Sequence, residues 1–271
     1  MKEFILIFLV LNFHLAFSQS EYLHVVQQPF KFKTVKNPVF EKDSLVIIKE
    51  KISFDKEIFK DSLAQKALRI HNASVFYYTN ENSEITYNLH QWTAPIVVYF
   101  DKSISKSLKV KLLAFFDNFK NIKNLNISVT RNIDNANYLI KSSNEKFSAE
   151  NYNLKTEREK ENFAFNNGSY NITRGGFSRI KSCILKINTN SNKINIQEKT
   201  LKQLFFLSLG RFFSVAYFRD NQSLISPIYV NSDSVSKLDL LILKIHYNYI
   251  FHESINSSEY KNILRTFFSD I

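Results

Sequence analysis

The sequence predicts an α+β fold, a twisted mixed sheet packed on one buried central helix. Three observations carry that expectation. Residues 95–100 (Pro-Ile-Val-Val-Tyr-Phe) form a continuous apolar run of strand length, as in a strand buried on both faces. Residues 200–210 (TLKQLFFLSLG) form an apolar helix whose Leu201, Leu204, Phe205, Phe206, Leu207 and Leu209 surround the axis, which marks a helix buried on every side. Strand-like and helix-like segments follow one another in mixed order, the pattern of α/β or α+β folds rather than of bundles or sandwiches.

Taken in order, residues 1–18 read as a secretory signal peptide. Lys2 gives a positive start, residues 4–17 are an apolar run, and Ala16-Phe17-Ser18 resembles a cleavage site. The run is shorter than the roughly 20 residues that span a bilayer, and no other stretch is long and apolar enough to do so. An exported product, periplasmic or extracellular, is expected, with no transmembrane span after cleavage.

Residues 19–91 form an N-terminal accessory region. Residues 45–48 and 74–78 carry the β-branched and aromatic content of strands. Between them Asp55 is placed to cap a helix with Phe59, Leu63, Ala67 and Ile70 on one face.

Residues 92–271 form the main domain. After the strand at 95–100 comes a helix over 103–119, with Leu108, Leu112, Phe115, Phe116 and Phe119 on one side. Strands follow at 125–129 and 138–140, joined by a turn over 132–137. Residues 143–178 read as a polar insertion or long loop, charged at 155–162 and closed by Gly175-Gly176. A strand over 180–188 and a turn over 188–194 lead to the central helix, placed at 197–213, with Gly210 taking the left-handed conformation that ends it. Ser236 and Asp239 resemble a capping box ahead of a helix carrying Leu238, Leu241, Ile242, Ile245 and Tyr249. A last helix starts at Ser257 and buries Tyr260, Ile263, Leu264, Phe267 and Phe268.

The formal charge is +11, from 36 Lys and Arg against 25 Asp and Glu. Acidic polymer or another envelope protein are partners this charge allows; the basic residues are scattered rather than clustered, and nucleic acid is not expected. The single cysteine, Cys183, excludes an intramolecular disulfide and sits in an apolar run, where a buried inert thiol is expected.

The order of these elements over residues 92–252 is similar to the zincin fold of metzincin and matrixin-like peptidases. More closely, it resembles an uncharacterised family of secreted bacterial domains with that layout but without the full zinc motif. The matching features are Trp92 opening the first strand, Ala136-Asn137 leading a later one, Leu209-Gly210 ending a helix, Ser226-Pro227-Ile228 in the following turn, and residues 235–239 with Tyr247 in the next helix.

The resemblance implies a test of the chemistry. HExxHxxGxxH places two His one helical turn apart, a Glu base between them and a third His after the Gly turn. Anchored on Gly210, those roles fall on Gln203, Leu204, Leu207 and Phe213. Leu and Phe neither coordinate zinc nor accept a proton from water. The segment His252-Glu253-Ser254-Ile255-Asn256 echoes HExxH but ends in Asn and lies at a junction between helices; His246 is expected at the surface or half-buried. Asp239 is expected as a helix N-terminal charge. No glycine-rich phosphate loop and no Gly-x-Ser-x-Gly elbow occurs.

No catalytic residue, metal ligand or cofactor is therefore assigned. The expectation is a secreted, non-catalytic zincin-like domain with a binding or scaffolding role. The alternatives are a hydrolase with an atypical site near the cleft positions Gln203, Arg211 and Tyr229, and a basic module for acidic polymers.

Overall fold

The computed structural model describes residues 61–76, 89–143, 168–175, 179–189, 194–251 and 255–268. The signal peptide, the strand at 45–48, the Asp55 cap, the charged stretch 155–162 and residues 252–254 lie outside them. So do the side chains of Ile263, Phe267 and Phe268.

The described chain is α+β. Helix α1 (Ser62–Val75) leads into strands β1 (Gln91–Trp92) and β2 (Ile96–Phe100). Helix α2 (Lys106–Phe116) follows, then β3 (Ile127–Thr130), β4 (Tyr138–Ser142), β5 (Gly168–Arg174) and β6 (Arg179–Ile187). Helices α3 (Ile194–Gly210), α4 (Lys237–Lys244) and α5 (Ser257–Phe268) complete the chain. The sheet runs β3-β2-β4-β6; β1 and β5 both pair with β6, and β5 alone is antiparallel. Among the described residues no helix is long and apolar enough to cross a membrane.

Register decides which side chains meet the helices. Val98 stands beside Tyr138, Tyr138 beside Cys183, and Cys183 beside Ile172, so these share one face. That face receives α3: the Phe205 ring lies 5.1 Å from Tyr138 and 4.4 Å from Phe116 of α2. Strand β2 is buried at Ile96, Val98 and Phe100 but only half-buried at Val97 and Tyr99. The run at 95–100 therefore alternates, and is not buried on both faces as expected: Val97 and Tyr99 stay half-buried on the face away from Val98.

Asn137 explains the Ala-Asn pair before β4. Its side-chain oxygen accepts from Val97 N at 2.7 Å and its amide donates to Pro95 O at 2.8 Å, so it completes the β2 ladder where β4 has yet to begin.

Several expectations are corrected. Ser74 and Val75 are helical, not the start of a strand; Ser74 Oγ donates to His71 O, and both residues are buried in the last turns of α1. The helix expected over 103–119 is capped by Ser105, whose hydroxyl accepts from Leu108 N, and tightens to a 3-10 turn over Asp117–Phe119. Within the expected polar insertion, Gly168–Arg174 is strand β5. It lies so close to α3 that a Cβ on Gly168 would stand 2.6 Å from Leu204 Cδ1 and 2.7 Å from Thr200 Cγ2.

The central helix ends at Gly210, not Phe213, and Gly210 does not take the left-handed conformation. Arg211 does, with φ 51°. Phe212 N then donates to Leu207 O at 2.8 Å, and the Phe212 ring returns to within 5.7 Å of Phe206. This is a Schellman closure with arginine in the position glycine usually takes. Gly210 serves packing instead: a Cβ there would stand 2.6 Å from Phe212 Cε1 and 2.8 Å from His246 Nε2.

The start signal of α4 forms as read. Ser236 Oγ accepts from Asp239 N, and α4 continues into a π-turn over Ile245–Tyr249. Asn256 caps α5 reciprocally: its side chain accepts from Ser258 N and Glu259 N, while Glu259 Oε2 accepts from Asn256 N. The described part of the N-terminal region, α1, shares one hydrophobic cluster with the main domain.

Candidate functional site

The residues that the resemblance assigns to zinc chemistry are placed first. Gln203 is buried, and its amide donates to Leu224 O at 3.1 Å and Ser226 O at 2.9 Å. Leu207 is buried, and Leu204 is partly buried against β5. Phe213 is half-buried, with its N–H donating to Ser74 O. Tyr229 is 2% exposed; burial raises its phenol to about 12, and its oxygen accepts from Ser232 N. Gln203 thus holds the loop over 223–232 against α3 and Tyr229 closes a turn within that loop, whereas Arg211 stands apart from them in a surface cleft. Among the described residues, no three His, Cys, Asp or Glu side chains gather as a metal would require.

Asp239 does more than charge a helix start. It is fully buried, and accepts from Ser223 Oγ at 2.6 Å, Leu224 N at 2.9 Å and Ser236 Oγ at 2.8 Å. Burial raises its carboxyl to about 6 against the pull of those bonds. Asp239 fixes the same loop from α4 that Gln203 fixes from α3.

His246 is fully buried, not at the surface, because the π-turn carries it under α1. Its Nε2 lies 2.9 Å from His90 O, and a carbonyl only accepts, so Nε2 carries the proton. Nδ1 of His246 then accepts from Nε2 of His71 at 3.0 Å, and Nδ1 of His71 accepts from Tyr260 OH at 2.7 Å. Every step of the chain is fixed by the carbonyl at its end. Burial holds His71 well below its usual range, helped by His246, and holds His246 down at about 3. The chain ties α1 to α5 and to the π-turn after α4.

A third buried group joins α2, α3 and the loop before α4. Glu198 accepts from Lys111 and, at 2.7 Å, from Lys202, which also donates to Ser232 O at 2.8 Å. Burial alone would raise the Glu198 carboxyl; the two ammonium groups outweigh it and hold the carboxyl below its ordinary value. Cys183 is buried as expected, its thiol pushed by burial up to about 12, far from a nucleophile's range.

The cleft beside Arg211 differs from all of these. It encloses about 290 Å³ between β5 and the end of α3, and is lined by Tyr170, Asn171, Ile172, Arg174, Arg211 and Phe213. Arg174 Nη1 lies 3.1 Å from His90 Nε2, and Arg211 Nη1 lies 3.4 Å from the same atom. A guanidinium only donates, so the Nε2 lone pair is shared by both. Arg211 also lies over the Phe213 ring at 5.8 Å. No carboxylate among the described residues pairs with either arginine. The Tyr170 hydroxyl, raised by burial, donates to Phe212 O and so sets β5 against the end of α3.

A larger depression of about 750 Å³ lies at the starts of β2 and β3, walled by Pro95, Phe116, Phe119, Lys123 and Phe251. It is the larger of the two, and Thr93, Lys120, Lys123, Asn124 and Asn126 make its polar wall, but among these no two side chains meet on one shared partner as Arg174 and Arg211 meet on His90. The Arg174–Arg211 cleft is the better candidate. Of its charged or titratable residues only Arg211 was legible in the sequence; His90 and Arg174 are 84 residues apart and meet only through the β1–β6–β5 pairing.

No family model matches this chain, and neither a curated protein nor a solved structure matches it.

Proposed function

We propose that this is a secreted, non-catalytic zincin-like domain whose role is binding. The observation that carries the reading is the state of the four positions where a zincin keeps its chemistry. Gln203 is committed to two backbone carbonyls, Leu204 and Leu207 pack in or against the core, and Phe213 lies beneath a guanidinium. Further support comes from the element order, a mixed sheet with an antiparallel strand followed by the central helix, and from the Gly210 turn and the capped helix after it. Where a hydrolase would need an acid or base poised to move protons, this chain places one amide that fixes a loop and three apolar side chains.

The test is made on the mature chain. Equilibrium dialysis against zinc, with the metal measured by atomic absorption, is expected to leave no stoichiometric ion on the protein. Incubation with casein is expected to release no peptides. Tight zinc at one ion per chain, or casein hydrolysis that tracks the protein through purification, would overturn the reading.

A further inference from the structure

We propose that Arg174 and Arg211 form a binding site for the oxyanion groups, carboxylate or sulfate, of an acidic polysaccharide. Two guanidinium groups approach one imidazole nitrogen, at 3.1 and 3.4 Å. Like charges held together raise the energy of the free protein, and an anion between them would relieve it. One lone pair cannot satisfy two guanidinium forks, so most of their N–H groups are left to face the cleft. No carboxylate among the described residues takes them. Elsewhere the chain neutralises clustered cations internally, as Glu198 does for Lys111 and Lys202. The contrast marks the arginine pair as a site kept open.

The backbone holds the pair in place. Arg211 sits in the left-handed region, φ 51°, where a residue with a Cβ is strained. Gly210 cannot take that conformation for it, because it stays helical against Phe212 and His246. The β5–β6 register shifts between Thr173 and Arg174, so that Arg174 stands opposite Ile180 and Lys181 of β6 is the extra residue. The Lys181 side chain of β6 passes beside Gly175, the residue after Arg174.

The cleft also suits a sugar ring better than a base. Arg211 lies over the Phe213 ring at 5.8 Å, so that ring is not free to stack on a base. The Asn171 amide offers the polar contacts a hydroxylated ring uses. Guanidinium forks match carboxylate and sulfate bidentately. The inference rests on the binding role proposed above and names the ligand chemistry of that role.

Isothermal titration of the mature chain uses polygalacturonate, which carries carboxylates, and dextran sulfate, which carries sulfate esters. A thymidine oligonucleotide of matched charge is the third probe. At low salt at least one polysaccharide is expected to bind. The double variant R174Q/R211N is expected to weaken it by about tenfold or more, since Asn tolerates the left-handed backbone. The charge-matched control K102Q/K106Q, exposed lysines before and at the start of α2, is expected to change it by less than about twofold. Arg174 is exposed on a sheet edge, so R174Q alone keeps the fold and should show a partial loss. The polysaccharide that loses most identifies the group bound.

Binding of neither polysaccharide, equal losses in the two double variants, or tighter binding of the oligonucleotide would each overturn the proposal. Casein hydrolysis would overturn the binding role without touching the arginine site. Failure of the arginine variants to discriminate would overturn the site and leave the binding role standing.

Discussion

The chain Tyr260–His71–His246–His90 and the pair Arg174–Arg211 share one residue and behave in opposite ways. In the first, every donor has one acceptor and the sequence of bonds ends on a carbonyl. In the second, two cations share a single lone pair on the His90 ring. The first is closed and buried, and its free energy goes into joining α1, α5 and the π-turn. The second is open at the surface and has donors in excess. Polar groups that are fully paired specify a structure; polar groups left over specify a ligand.

The comparison can be broken most severely from the closed side. Glu198→Ala leaves Lys202, 3% exposed, without its carboxylate. Removing one partner of a buried pair costs about 3–5 kcal/mol, and urea unfolding should show a loss in that range. A cost below about 1 kcal/mol would mean that Ser232 O and solvent satisfy Lys202 without Glu198. His71→Ala is expected next, at about 2–4 kcal/mol, because it strips Tyr260 OH of its acceptor and opens a cavity under α1. Arg174→Gln should cost less than about 0.5 kcal/mol, as a surface substitution does.

The same closed chain sets a pH dependence. His71 and His246 are held below their ordinary value of 6.5 when folded, His246 at about 3. Above pH 6.5 neither state binds the protons and stability is level. As pH falls below 6.5 the unfolded chain takes them up and the folded chain does not, so stability is lost by about 1.4 kcal/mol per pH unit for each histidine. Asp239 opposes this. Its folded value is raised to about 6 from 3.8, so between those values the folded state holds the extra proton. Asp239 therefore offsets about one histidine's worth of the slope between pH 4 and 6, roughly 1.4 kcal/mol per unit. In Asp239→Asn the opposing group is gone, and the slope should steepen by about 1.4 kcal/mol per unit. Urea midpoints across that range measure it; an unchanged slope in the variant would show that Asp239 does not titrate there.

What the sequence showed of this molecule follows from how local each signal is. The capping box at Ser236 and Asp239 and the all-round apolar helix are encoded within a few residues, and both formed. Strand β5 was hidden because Tyr170 and Ile172 are the only large apolar residues in Gly168–Arg174, too short an alternation to outweigh the polar stretch before it. Its partner β6 and the facing α3 supply the burial that its own sequence lacks. Ser74 and Val75 were misread as strand because β-propensity, carried by Val75, Phe76 and two tyrosines, is weaker than the continuation of an α1 already packed. Of the arginine cleft only Arg211 was legible, since Arg211 and His90 are 121 residues apart. One observation hints at it in retrospect: an arginine directly after a helix-ending glycine.

That pairing of Gly210 and Arg211 gives two smaller tests of the same contrast. Gly210→Ala forces a Cβ against Phe212 and His246 and so strikes the closed chain; overpacking of this kind costs about 1–3 kcal/mol. Arg211→Gly does the reverse. It relieves the left-handed strain, worth about 1–2 kcal/mol for a residue with a Cβ, less the entropy glycine loses on folding. A gain of roughly 0.5–1 kcal/mol is expected in urea unfolding, together with weaker binding of the acidic polysaccharide. A side chain retained at a conformational cost, and whose removal improves the fold, is explained by what it binds. If Arg211→Gly instead destabilises the protein, the guanidinium contributes to the fold through His90 and Phe213, and the distinction between the closed and open clusters no longer holds.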